Sequence, residues 1–202
     1  MARSEAIAGY QSAAPELIER YEALSAEEVL EPVLPFFPSR AGRVLDVGAG
    51  TGRNAAWFAG QGHRVVACEP VEAFRKYGSA RYSDHTIQWV DDALPGLDAI
   101  TAAGFNFNLV LLSAVWQHVA PGDRPPAMAC LGSVLRAGGS LVMSVRHGPG
   151  AAGRPVFESD DEETVSMARA NGLAVVSLTQ TESIQAQNKA AGVTWSWMVF
   201  NA

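Results

Sequence analysis

The chain has 202 residues, a formal net charge of −6, and 48% hydrophobic against 18% charged residues, which is the composition of a globular domain with a substantial core. Because phosphate binding requires a basic surface and the basic residues here are few and scattered, the charge does not favour a nucleic-acid partner. No apolar run approaches the ~20 residues of a membrane span, and the N-terminus lacks a signal peptide's apolar core, so we expect a cytoplasmic protein.

Residues 1–40 precede the first predicted strand and are expected to be helical. The segment 15–24 has the pattern of an amphipathic helix, with its proline in the first turn and Ser12 as the candidate cap. Ser25 and Glu28 have the spacing of a capping box, which predicts the start of a second helix. Tyr10 is either an aromatic that reaches a ligand site or an ordinary packing residue.

Residues 43–58 contain the most informative pattern of the chain. The apolar run 44–47 is typical of a strand that is buried on both faces. Three glycines then form a loop with little side-chain bulk, and good helix formers follow it. Glycine allows positive φ and lets a ligand approach the backbone, while the start of a helix offers unpaired N–H groups. The strand, loop and helix together predict a nucleotide-binding unit.

Acidic residues follow the next two predicted strands. The second strand, 63–69, ends in Glu69, about 20 residues after the first loop glycine, which is the spacing that delivers a carboxylate to ribose hydroxyls in Rossmann-like sheets. This feature does not distinguish between nucleotide cofactors. The third strand, 87–90, is followed by Asp91 and Asp92, which are either part of the ligand site or a solvated turn.

Basic and aromatic side chains follow the fourth and fifth predicted strands, 107–113 and 140–145. Ligands of open α/β sheets bind at the carboxyl ends of the strands, so these side chains are expected at the same rim. His118 is therefore a candidate acid–base or substrate-orienting group, and Arg146 and His147 are candidate substrate contacts. The alternative for each is a structural or solvated side chain.

The remaining elements complete an α/β pattern. A helix is predicted over 121–136, with 137–139 as its terminator. Strands are predicted over 173–178 and 193–200, and they should pair as an antiparallel hairpin because no helix is predicted between them. The polar linker 180–192 either folds over the site or stays mobile. The sequence shows no metal-ligand cluster and no boundary of a second domain.

The segment 46–52 reads D-x-G-x-G-x-G and resembles motif I of class I S-adenosylmethionine (SAM) dependent methyltransferases. Asp46 and Arg53 separate it from the dinucleotide fingerprint G-x-G-x-x-G, because Arg53 stands at the last glycine position of that fingerprint. In the methyltransferase family the acid lies near the cationic methionine end of the ligand. The segment 135–144 is also similar to that family's passage from helix to strand.

The resemblance covers nearly the whole chain and implies its fold. It implies an α/β, Rossmann-like, seven-stranded mixed sheet of order 3-2-1-4-5-7-6, with strand 7 antiparallel and helices on both faces. The implied organisation is a single methyltransferase domain over 1–202, with an N-terminal helical lid segment at 1–40 and a core at 43–202. The most similar members are small bacterial methyltransferases built from little more than the catalytic core.

The resemblance also implies methyl transfer from SAM to an acceptor, which we interpret as a small molecule, without a metal ion. The residues it assigns to the cofactor are Asp46, Gly48, Ala49, Gly50, Asn54, Glu69, Pro70, Asp91, Asp92, Ala93, Ser113 and Trp116. Asp92 with Ala93 is favoured as the adenine contact, with Asp91 as the alternative. Trp116 either forms the floor of the acceptor pocket or caps the sheet. Two other functions remain open: a SAM-binding protein without transferase activity, and an NAD-binding oxidoreductase.

Overall fold

The structure is a computed structural model that describes residues 2–202, and seven β-strands form its centre. The strands are β1 (Arg43–Val47), β2 (Arg64–Cys68), β3 (Ile87–Val90), β4 (Phe107–Leu112), β5 (Leu135–His147), β6 (Ala174–Glu182) and β7 (Thr194–Asn201). β1, β2 and β4 are short runs rich in Val and Leu whose side chains are buried on both faces of the sheet. This burial is expected for parallel strands that are covered by helices on both sides.

Eight α-helices within the described residues connect or flank the strands. They are α1 (Ala2–Glu22), α2 (Ala26–Leu30), α3 (Arg53–Gly60), α4 (Glu72–Arg81), α5 (Asp98–Ala102), α6 (Arg124–Ser133), α7 (Asp161–Ala170) and α8 (Ala186–Ala190). Three 3₁₀ helices lie at Glu31–Phe36, Trp116–His118 and Pro121–Asp123. The predicted capping box of α2 is confirmed, with reciprocal hydrogen bonds between Ser25 and Glu28. None of these helices combines the length and the hydrophobicity that a membrane span requires.

The order of strands in the sheet is β3-β2-β1-β4-β5-β7-β6, which confirms the predicted topology. Strands β1 to β5 pair in parallel, while β7 pairs antiparallel with both β5 and β6. The prediction of no helix between β6 and β7 was wrong, because α8, a helix of five residues, lies there. A parallel connection needs a crossover of about a dozen residues or more, so this short connection leaves the antiparallel arrangement as the available one.

Two apolar layers cover the sheet, because alternate side chains of a strand point to opposite faces. On one face, Leu45 and Val47 of β1 pack in a cluster with buried residues of α5, α6 and α7. On the other face, Val44 packs with buried residues of α2 and α3, among them Leu30 and Phe58. The ends of the strands between these layers are therefore held by packing on both sides.

The first helix differs from its prediction, because α1 begins at Ala2 and contains Pro15 in its interior. The predictions of a helix start at Pro15 and of a cap at Ser12 were wrong. A proline inside a helix removes one backbone hydrogen bond and disfavours the preceding turn. That cost is offset by tertiary packing, since Ala14 and Leu17 are buried against Val71 and Phe74.

The fifth strand also differs from its prediction. α6 ends at Ser133 and β5 already begins at Leu135, so a helix over 121–136 with a terminator at 137–139 was wrong. Gly139 instead lies in an irregular part of β5 where the register with β4 shifts. A Cβ atom on Gly139 would stand 2.9 Å from the carbonyl oxygen of Phe107, so a side chain there would push the two strands apart.

The segment 180–192, for which the sequence left two alternatives, folds over the end of the sheet. Its first residues complete β6, and α8 follows within it. Lys189 in α8 forms a 2.7 Å ion pair with Glu182 at the end of β6. The segment is therefore ordered, and it forms one wall of the cavity described below.

The close packing of α4 on β3 predicts an unusual effect of a helix glycine. A Cβ atom on Gly78 would collide with the ring of Trp89 and would lie 2.5 Å from the carbonyl oxygen of Thr51. Gly78→Ala should therefore destabilise the protein by about 1–3 kcal/mol, as overpacking does, although alanine is the better helix former. The measurement is urea unfolding, with Gly60→Ala as the matched control.

Gly60 is the last residue of α3, and its added methyl group would meet only the His85 ring at 3.8 Å. Gly60→Ala should leave stability unchanged or raise it by up to ~1 kcal/mol. Equal midpoints for the two variants would contradict the close approach of α4 to β3.

Candidate active site

A cavity of about 510 Å³ opens at the carboxyl ends of the parallel strands. Its lining includes a residue from the end of each of the first five strands or from the turn that follows: Val47, Glu69, Asp92, Ser113 and Arg146. The volume lies in the range of small-molecule sites, and the rim is the one where open α/β sheets bind their ligands.

The loop between β1 and α3 has a backbone that only glycine accommodates easily. Gly48 has φ +67° and Gly50 has φ +57°, both in the left-handed region. A Cβ atom on Gly48 would also lie 2.5 Å from a methyl group of Val115. The loop therefore presents bare backbone to the cavity, as the sequence predicted.

Glu69 connects the glycine loop to the end of β2. Its Oε2 accepts a hydrogen bond from the N–H of Gly50 at 2.7 Å, and its Oε1 accepts one from the N–H of Val71 at 2.8 Å. The residue is 5% exposed, and burial raises the pKa of its carboxyl to about 7, against the opposing effect of these two N–H groups. Glu69 lines the cavity, and each of its oxygens can accept one further hydrogen bond.

Asp46 lies beneath the glycine loop and does not line the cavity. Two positions after Val44, it points to the face of the sheet that α3 covers, so the pleat turns it away from the ligand side. It is buried, its Oδ2 has no hydrogen-bond partner, and burial raises its pKa to about 7, opposed by the charge of Arg53. The guanidinium of Arg53 donates to the carbonyl oxygen of Tyr21 at 2.9 Å, which ties the start of α3 to α1.

The two aspartates after β3 take different positions. Asp92 lines the cavity, with Ala93 beside it, while Asp91 lies outside and forms a 2.6 Å ion pair with Arg75. Oδ1 of Asp92 accepts the N–H of Ala93 at 2.8 Å, and Oδ2 accepts N–H groups at the start of α5. Asp92 thus also holds the start of α5 in place.

One face of α1 forms a wall of the cavity. The lining residues recur at helical spacing and are Arg3, Ala6, Ile7, Tyr10, Leu17, Arg20 and Tyr21. The sequence analysis missed most of this face because it started the helix at Pro15. Extending the apolar periodicity back through residues 3–14 would have found it.

His118 lies in the cavity wall opposite α1. Its Nδ1 is 2.8 Å from the carbonyl oxygen of Pro155, which can only accept, so Nδ1 carries the proton. Its Nε2 is 2.8 Å from the hydroxyl of Tyr10 and, in the neutral ring, accepts from it. Burial lowers the pKa of His118, which favours this neutral form, while the hydrogen bond to Pro155 opposes the effect.

Two arginines lie near this histidine. Arg146, which the sequence predicted as a substrate contact, donates to the carbonyl oxygen of Pro149 and stacks over Trp195, with its Cζ 5.5 Å from the ring centroid. Arg154, which the sequence analysis missed, stacks over Tyr10 at 5.2 Å. Arg154 lies in an irregular loop after β5, where no periodic pattern signals its position.

His147 and Trp116 do not line this cavity. Nε2 of His147 is 2.8 Å from the hydroxyl of Ser196 and 3.2 Å from a carboxylate oxygen of Asp161, so its ring is engaged between β7 and α7. Trp116 is fully buried in the apolar cluster beneath the rim. The remaining candidates do line the cavity: Gly48, Ala49, Gly50, Asn54, Glu69, Pro70, Asp92, Ala93, Ser113, His118 and Arg146.

One family model and several solved structures are similar to this chain. A family model described as a methyltransferase domain matches residues 44–139, from β1 to the irregular part of β5. No curated protein matches at a significant level. Among solved structures, 1,6-didemethyltoxoflavin-N1-methyltransferase of Burkholderia thailandensis, with bound 1,6-didemethyltoxoflavin and S-adenosylhomocysteine (SAH), has a TM-score of 0.75 and 22% identity over 98% of this chain and 87% of its own.

Two further solved structures are similar. A TehB-like SAM-dependent methyltransferase of Corynebacterium glutamicum has a TM-score of 0.64 and 20% identity, covering 94% of this chain and 97% of its own. The N-methyltransferase NodS of Bradyrhizobium japonicum, in complex with SAH, has a TM-score of 0.63 and 17% identity, covering 87% and 84%. At these identities the structural likeness is one of fold.

The burial of Glu69 predicts a pH dependence of stability. A Glu side chain in the unfolded chain has a pKa of ~4.3, whereas the carboxyl of Glu69 in the folded protein has a pKa of about 7. Between these two pH values the folded state therefore binds more protons than the unfolded state. Stability should therefore fall as pH rises from about 4 to 7 and level off above. Glu69→Gln should weaken this fall, measured by urea unfolding across that range without ligand.

Part of the fall should persist in Glu69→Gln, because burial raises the pKa of Asp46 in the same direction. The matched control is Glu19→Gln, which changes an exposed carboxylate of α1 and should leave the profile as it is. Identical profiles for Glu69→Gln and the unmodified protein would show that Glu69 is not the buried acid.

Proposed function

We propose that this chain, a class I SAM-dependent methyltransferase by its matching family model and its fold, transfers the methyl group of SAM to a small molecule. The observation that carries the proposal is the single cavity that combines two sets of groups. The glycine loop and the acids after β2 and β3, which we assign to the cofactor half, line the same cavity as Tyr10, His118 and Arg146, which we assign to the acceptor half.

The first half of the cavity fits SAM. The cofactor supplies, when bound, an activated methyl group on a cationic sulfur that is open to in-line attack. The free lone pairs of Glu69 suit two ribose hydroxyls, and the second lone pair on Oδ1 of Asp92 suits the amine of adenine. The absence of a Cβ atom at Gly48 and Gly50 leaves room for the ligand beside the backbone.

The second half suits the methyl acceptor. Holding an acceptor atom in line with the methyl group is an orientation effect worth up to ~7–11 kcal/mol in favourable cases. Trp195 and Trp197 provide flat apolar surfaces, and the neutral His118 accepts a hydrogen bond from Tyr10. An acceptor that loses a proton can pass it through Tyr10 to Nε2 of His118, a contribution of about 10²–10⁴-fold.

The segment 2–22 acts as a lid in this proposal, while the core 43–202 holds the remaining walls. α1 places Tyr10 and Tyr21 over the cavity and is attached to the core through Arg53 and through the apolar contact of Leu17 with Phe74.

A small-molecule acceptor is also supported by analogy. The similar Burkholderia thailandensis structure contains 1,6-didemethyltoxoflavin, which is a small molecule. The test is a turnover assay of the purified protein with SAM against a library of small metabolites, with detection of SAH. Formation of SAH with at least one metabolite supports the proposal. Binding of SAM without turnover on any member, together with turnover on a macromolecular substrate, would contradict it.

Removal of the Glu69 carboxylate should weaken SAM binding. A charge-assisted hydrogen bond is worth roughly 1.5–3 kcal/mol, so Glu69→Ala should lose about that much affinity and Glu69→Asp should lose less. Calorimetric titration with SAM measures the loss. Asp91→Ala is the matched control, because Asp91 lies outside the cavity and should leave the affinity unchanged. A larger loss of SAM affinity in Asp91→Ala than in Glu69→Ala would instead assign the ribose contact to Asp91.

Removal of the His118 imidazole should lower turnover without changing SAM affinity. His118→Gln keeps a polar group but removes the proton acceptor, so kcat should fall by up to about 10²–10⁴-fold if the acceptor loses a proton. The assay uses any metabolite that the library yields, with His85→Gln as control, since His85 is exposed and outside the cavity. Unchanged kcat in His118→Gln would exclude this role.

A further inference from the structure

Two guanidinium groups face the acceptor half of the cavity from different parts of the chain. Arg146 is near the end of β5, and Arg154 is in the loop that follows it. Each is stacked on an aromatic ring, Trp195 for Arg146 and Tyr10 for Arg154. Stacking holds a guanidinium by its face. Nε and Nη2 of Arg146 already donate to the carbonyl oxygen of Pro149, and Nη2 also donates to Oδ1 of Asn188 at 3.3 Å, so Nη1 is the group that Arg146 offers to a ligand.

Neither guanidinium has a carboxylate partner. Within residues 2–202, no acid lies within 4 Å of Arg146 or Arg154, although several acids line the cavity. Glu182, which lies in the same wall, is paired with Lys189 at 2.7 Å. Arg146 donates to the carbonyl oxygen of Pro149, a neutral acceptor, so its charge is not compensated.

Both positive charges act on the same hydrogen-bonded pair, Tyr10 and His118, and Arg154 also stacks on Tyr10. The charges of Arg154 and Arg146 oppose the burial that raises the pKa of Tyr10, and they add to the burial that lowers the pKa of His118. Burial and the nearby Arg154 also lower the pKa of Arg146. Two like charges in a partly buried site repel each other, and a bound anion would relieve that repulsion.

The strand order separates Arg146 from the glycine loop. The glycine loop follows β1, whereas Arg146 belongs to β5, and β4 lies between these strands. Neighbouring strands are about 4.8 Å apart, so β5 is roughly 10 Å from β1. Arg154 contacts Tyr10, whose hydroxyl is bonded to His118 after β4. Arg146 therefore lies two strands away from the glycine loop, and Arg154 lies beside Tyr10.

We propose that Arg154 and Arg146 bind a carboxylate, or a similar oxygen anion, on the methyl acceptor, which makes small organic acids the substrate class of this enzyme. The proposal rests on the methyl-transfer function proposed above. Arg154 offers its N–H edge to the anion in the planar geometry that suits two carboxylate oxygens. The adjoining rings of Tyr10 and Trp195 cover the apolar part of the acceptor.

The test uses benzoate as the probe and benzamide as its neutral counterpart, titrated calorimetrically with and without saturating SAH. Benzoate should bind, and benzamide should bind at least ~10-fold more weakly. Arg154→Gln and Arg146→Gln should each weaken benzoate binding by a similar factor, and Arg154→Lys should retain more affinity than Arg154→Gln. Arg64→Gln is the matched control, because Arg64 is exposed at the far end of β2.

SAH affinity and circular dichroism are measured for each variant, so that a loss of folding is recognised directly. Equal affinities for benzoate and benzamide, no binding of benzoate, or unchanged benzoate affinity in Arg154→Gln would overturn the proposal. Weaker SAH binding in the arginine variants, with unchanged adenosine binding, would assign the arginines to the methionine carboxylate and also overturn it. A protein that binds benzoate through Arg154 but not SAH would support the anion site and refute the methyl-transfer function.

Discussion

The hydrogen bond from the N–H of Gly50 to Oε2 of Glu69 is the contact on which the cofactor half of the site depends. It joins the loop after β1 to the end of β2 and holds a buried carboxylate in the wall of the cavity. The bond requires a backbone with positive φ at Gly50, which a residue with a Cβ atom adopts only with strain. The conformation of the glycine loop therefore determines where the Glu69 carboxylate lies, and a change in either one displaces the other.

The acceptor half depends on contacts between distant segments. Tyr10 of α1 meets His118 after β4, the carbonyl oxygen of Pro155 fixes the tautomer of that histidine, and Arg154 stacks back on Tyr10. A change in any one of these residues therefore alters the polarity of the same small volume.

Charge is distributed unevenly along the cavity. The cofactor half carries the carboxylates of Glu69 and Asp92, while the acceptor half carries Arg146 and Arg154 without acidic partners in the described part of the chain. Carboxylates suit the hydroxyls and the amine of the nucleoside, which are donors. Guanidiniums suit an anion. The two ends of the cavity therefore differ in the kind of ligand group that their side chains favour.

The glycine loop and the placement of Glu69 after β2 followed from the sequence by itself, because they depend on local patterns and on short, regular spacing. The sheet order followed from the resemblance of these motifs to a known family. Only the tertiary structure decided which side chains reach the cavity. Asp46 turns beneath the loop because of the pleat of β1, and His147 is bonded to Ser196, a partner 49 residues away. Arg154 reaches the site through an irregular loop, where position depends on long-range packing and leaves no periodic signal in the sequence.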